Sequence, residues 1–85
     1  MREVKYVITD ELGIHARPAG LLVKLLGEFA GDVQVGTDAK MVDGKRLLSV
    51  MGLGLVQGDE LRLVFDGAGE EMAAVAALKF LSESL

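Results

Sequence analysis

The chain has 85 residues, 51% of them hydrophobic and 26% charged, with a formal net charge of -4 at pH 7. That composition excludes a disordered or fibrous chain, and the length leaves room for one domain, residues 1–85, around one core. The acidic balance excludes general attraction to nucleic acid or anionic membranes, and the lack of cysteine excludes a disulfide framework and a thiolate metal site.

The opening residues, Met1-Arg2-Glu3-Val4-Lys5-Tyr6, carry charge where a signal peptide needs an unbroken apolar stretch, so the expected location is the cytoplasm. From Val4 to Thr9, Val4, Tyr6 and Ile8 recur with the period of a strand buried on one face. Asp10-Glu11-Leu12-Gly13 reads as a solvated loop. A helix is expected from Ala16 to Phe29, with Ala19, Leu22, Val23, Leu26 and Phe29 on its packing face. Leu21 and Leu25 lie off that stripe.

Asp32 to Val35 and Lys40 to Asp43 read as two strands of a hairpin that turns through Gly36-Thr37-Asp38-Ala39. Lys45 to Met51 is a short apolar segment closed by Gly52 and Gly54, and is expected to be a helix. Glu60 to Phe65 alternates as a further strand after the Gly58-Asp59 turn. A last helix opens at Glu70-Glu71, with Ala74, Ala77, Leu78 and Leu81 as its packing stripe. The order strand, helix, strand, strand, short helix, strand, helix predicts an α/β open-faced sandwich, an antiparallel sheet with helices on one side only.

The chemistry concentrates in Gly13-Ile14-His15-Ala16-Arg17-Pro18-Ala19-Gly20, which holds the only histidine. With His15 at the N-cap, Ala16, Arg17 and Pro18 fill a first turn whose amides lack intrahelical partners, and proline loses nothing there. The backbone amides of Ala16 and Arg17 and the positive end of the helix dipole then face whatever the imidazole carries, as a phosphoryl group requires. Arg17 adds a planar cationic fork for phosphate oxygens, which lysine cannot present. No carboxylate near His15 in the sequence is evidently placed as a base to activate water, so reversible loading fits better than hydrolysis. Taken alone, a single histidine at a helix start is more often a structural residue than a functional one.

The octapeptide resembles the phosphorylation-site signature of the HPr family, the histidine-containing phosphocarriers of the bacterial phosphoenolpyruvate-dependent sugar phosphotransferase system. The resemblance covers nearly the whole chain, including the Lys45 to Gly54 segment with Leu53-Gly54-Leu55, the Gly58 turn and the closing helix. It implies four antiparallel strands with three helices in the order βαββαβα. It also implies phosphorylation of His15 on Nδ1 by enzyme I and delivery of the group to a histidine of a sugar-specific enzyme IIA. Arg17 corresponds to the arginine of the phosphoryl site. The docking surface implied by the family maps to Ala16, Arg17, Gly20, Leu21, Lys24, Lys45, Arg46, Leu47, Leu48 and Met51, an apolar patch ringed by cations that suits a transient partner. The alternative for Leu47, Leu48 and Met51 is an ordinary core role.

Three positions depart from the pattern. Arg46 stands where Gram-positive members carry a serine phosphorylated by an ATP-dependent kinase, so that switch is absent at this position. Ser49, three residues on, is displaced from the helix N-terminus that would hold a phosphate. Gly20 replaces the usual alanine or threonine. A nitrogen-related regulatory branch of the same system remains the alternative to sugar uptake. The weakest reading is an autonomous enzyme using His15 as a base.

The expected molecule is a monomer that needs no cofactor or metal, does not insert into membranes and binds no nucleic acid. Its glycines between Gly52 and Gly58 lack the spacing of a nucleotide-binding loop, Asp10 and Glu11 form no metal set, and its aromatics are too scattered for base stacking.

Overall fold

The computed structural model describes residues 1–85. Its elements are β1 (Arg2–Val7), α1 (Ala16–Gly27), β2 (Asp32–Gly36), β3 (Met41–Asp43), α2 (Leu47–Met51), β4 (Glu60–Asp66) and α3 (Glu70–Ser84). The four strands form one sheet in the order β1-β4-β2-β3, and every pairing is antiparallel. Val4 lies opposite Leu63, and Val35 opposite Leu63 on the other side, so one face of the sheet collects a row of apolar side chains.

Period-two alternation sends Val4, Val33, Val35, Leu61, Leu63 and Phe65 into the core, where they meet Leu22 and Leu26 of α1, Val50 of α2 and Ala74, Ala77 and Leu81 of α3. The small side chains of Ala74 and Ala77 let α3 approach the sheet closely. Phe29, just beyond α1, meets Phe65 edge to face with ring centroids 5.7 Å apart. The opposite sheet face is polar: Arg62 donates to Glu3 from its Nε at 2.7 Å and pairs with Asp38 at 3.0 Å. The hydrogen bond to Glu3, with Asp38 second, holds the guanidinium above its ordinary pKa. No helix is long and apolar enough to cross a membrane.

The strand, helix and turn order matches the expectation, with corrections at the ends. β1 starts at Arg2 and stops at Val7, so Ile8 is buried from a loop, its amide bonded to the Asp59 carbonyl at 3.0 Å. The second helix begins at Leu47 with Arg46 as its N-cap, which leaves Lys45 in the preceding turn. There the Asp43 carboxylate accepts the Lys45 amide at 2.9 Å, an interaction that competes with helix formation. Leu78 is 44% exposed and does not belong to the packing stripe of α3. The buried seam runs through Ala74, Ala77 and Leu81 at spacings of three and four, and Leu78 sits about 100° around the helix from Ala77.

Candidate functional site

His15 has extended backbone angles, φ -112° and ψ 177°, and its carbonyl accepts the first helical hydrogen bond from Ala19 at 3.0 Å. Its side chain makes no capping hydrogen bond and is 39% exposed. Pro18 has no N–H, so the unpaired donors at this helix end belong to Ala16 and Arg17. Arg17 is exposed and forms no ion pair within the protein.

The loop before the helix is held by two distant parts of the chain, Leu85 and Leu55. Thr9 and Asp10 donate their amides to the Leu85 oxygen at 2.6 and 2.8 Å, and Ile14 donates to the Leu55 carbonyl at 3.1 Å. Gly13 adopts φ +65°, and a Cβ there would lie 2.4 Å from the Leu55 oxygen and 2.7 Å from Val56 Cα. Only glycine fits, for reasons of both backbone angle and space.

Asp10 lies in the loop expected from the sequence, but its carboxylate is engaged there. Its Oδ1 accepts the Leu12 amide at 2.8 Å, and its Oδ2 lies 3.9 Å from His15 Nε2. Asp10, His15, Arg17, Pro18, Leu21 and Ser84 line one cleft of about 290 Å³. Asp10 and Ser84 are the members that the linear motif did not reveal, because a loop acid and a residue from the far end of the chain have no fixed spacing to the histidine. A larger cavity of about 440 Å³, between the end of α1 and the start of α3, shares no residue with this cleft. No group of three histidine, cysteine or acidic residues is placed to hold a metal.

The surface beside the cleft is apolar with cations around it. Leu21 is 49%, Leu47 39% and Leu48 84% exposed, Met51 is half-buried, and none belongs to the core. α1 and α2 pack against each other, which sets Leu21 and the two leucines of α2 on neighbouring helices. Ala16 and Lys24 are exposed, and Arg46 is exposed with its Nε 3.9 Å from the Asp43 carboxylate. Lys45 differs from the other cations: its Nζ donates to the Phe29 carbonyl at 2.5 Å, so its charge closes the segment after α1 instead of standing free for a partner.

Gly20 is half-buried on α1, and a Cβ there would meet nothing within 4 Å. Gly20→Ala is therefore expected to stabilise the protein by about 0.5–1 kcal/mol, since alanine costs less helical entropy than glycine. Thermal unfolding checks this: a lower midpoint would mean that the position needs glycine for a reason other than space.

A family model described as the PTS HPr component phosphorylation site matches residues 2–83. A phosphocarrier protein HPr from Lysinibacillus sphaericus is 40% identical over 83 residues, covering 98% of this chain and 94% of that protein. The crystal structure of HPr-C-His from Thermoanaerobacter tengcongensis superposes with a TM-score of 0.91 at 35% identity, covering 98% of this chain and 93% of that one. A histidine-containing phosphocarrier protein of Mycoplasma superposes with a TM-score of 0.93 at 26% identity, covering 98% of this chain and 94% of that one.

Proposed function

Because the chain belongs to the HPr family of phosphocarriers, which are carriers rather than enzymes, we propose that His15 accepts a phosphoryl group from phospho-enzyme I and passes it to a histidine of an enzyme IIA. In this reading phosphoenolpyruvate is the ultimate donor, the carrier works in the cytoplasm and sugar uptake is the process served. The observation that carries this reading is the N-cap placement of His15: an imidazole with no internal hydrogen bond, two open amides from Ala16 and Arg17, and an unpaired guanidinium at the same helix end. The amides and the dipole stabilise the phosphoryl oxygens, and Arg17 offsets the charge that gathers on them as the group moves.

The group must leave as readily as it arrives. A shallow cleft that leaves the loaded ring open to a partner's histidine suits transfer, and the lack of a deep pocket suits exchange between two proteins over turnover of a small substrate. Incubation with enzyme I and phosphoenolpyruvate should load one acid-labile phosphoryl group per chain; absence of loading would sink the proposal.

Leu21, Leu47, Leu48 and Met51 form the docking patch in this reading, with Arg17, Lys24 and Arg46 steering an acidic partner surface. Leu48→Asp is expected to weaken binding to enzyme I about tenfold, in the range of a single interface residue that matters. Because Leu48 is 84% exposed, folding stability should stay within about 0.5 kcal/mol of the parent. Titration calorimetry together with thermal unfolding tests both halves, and unchanged affinity would remove α2 from the interface. Arg46 at the N-cap of α2 leaves no hydroxyl there for a kinase, so control of the carrier falls to its partners.

A further inference from the structure

We propose that Asp10 is a positioning residue for His15: its carboxylate holds the proton on Nε2 and so presents the Nδ1 lone pair to the incoming phosphorus, a role that rests on the phosphoryl-carrier reading above. The geometry has two parts. Asp10 is itself fixed, with its amide on the Leu85 oxygen at 2.8 Å, its carbonyl accepting Gly13 N–H at 3.0 Å and its Oδ1 accepting Leu12 N–H at 2.8 Å. Its second oxygen, Oδ2, has no other partner and faces His15 Nε2 at 3.9 Å. That separation is about 1 Å longer than an N–H···O bond, and such contacts at reacting groups commonly tighten when the partner docks.

A carboxylate can only accept a hydrogen bond. It therefore favours the neutral tautomer with hydrogen on Nε2 and leaves Nδ1 as the nucleophile. In the transfer, the Nδ1 lone pair forms the new nitrogen–phosphorus bond. The bond from phosphorus to the phosphorylated side chain of enzyme I breaks at the same time, and its electron pair stays on that donor group. The Nε2 proton does not move, so positive charge builds on the His15 ring, where Asp10 opposes it. On delivery the same steps run in reverse and the charge is released.

Asp10→Asn and Asp10→Ser separate this role from the turn. Both keep an oxygen for the Leu12 amide and remove the charge, and the asparagine can also place an N–H toward Nε2, which favours the wrong tautomer. With the protein labelled with nitrogen-15 in histidine, the neutral ring of the parent should show hydrogen on Nε2. Asp10→Asn should shift that population toward Nδ1–H. Loading by enzyme I should slow about fivefold, the worth of one ion pair at this distance in water. Unchanged ring spectra in both variants would overturn the proposal, and so would a rate loss that appears only with a displaced Leu12 amide signal. Failure of the parent itself to load would count against the carrier reading, while the ring spectra would still decide the role of Asp10.

Discussion

His15→Ala is expected to give a folded protein that accepts no phosphoryl group. The imidazole caps no backbone amide and is 39% exposed, so its removal should change stability by no more than about 0.5 kcal/mol. The phosphate-binding half of the site survives in the variant, because the amides of Ala16 and Arg17 and the Arg17 side chain do not depend on residue 15. What is lost, in the proposed reading, is the acceptor nitrogen. Mass spectrometry after incubation with enzyme I and phosphoenolpyruvate, run beside thermal unfolding, separates loss of the acceptor from loss of the fold. A variant that still carries an acid-labile phosphoryl group would move the acceptor elsewhere and end the assignment.

Arg17→Ala should slow both loading and unloading by about 100-fold, the usual consequence of removing one donor from an oxyanion site. Its side chain has no ion pair to lose, so the fold should be indifferent. Arg17→Lys is expected to recover only part of the rate, because an ammonium brings charge without the planar fork that matches two phosphate oxygens. Rapid-quench rates in both directions check this. If the alanine variant transferred at the parental rate, Arg17 would be a surface cation and the amides alone would hold the group. Together the two variants divide the site into an acceptor without which nothing happens and a stabiliser that sets the speed.

The readable part of this site is local. A histidine at an N-cap, two amides ahead of a proline and an arginine in the same turn lie within one short run of sequence, and helix-end chemistry depends on little else. Gly13 was legible as a loop residue. The reason that only glycine serves there, the Leu55 and Val56 backbone pressing on it, was not, because those residues arrive from the other side of the chain. Lys45 shows the same limit. Its charge was plain in the sequence, yet its amine is spent on the Phe29 carbonyl 16 positions away.

By itself the sequence determined the alternation of the strands, most of the packing stripes of the two long helices, the element order and the placement of His15 at the start of the first of them. The strands and helices rest on periodicity and spacing within each element, and the phosphoryl reading of His15 on the family resemblance. The tertiary structure alone decided which side chains stand free and which meet. It exposed Leu78 and Leu48, buried Ile8 from a loop, and drew Thr9 and Asp10 onto Leu85, a contact spanning 76 positions for Thr9. That long-range anchoring is what brings the Asp10 carboxylate to His15. No local rule contains it, because it arises only when the sheet and the helices close around one core.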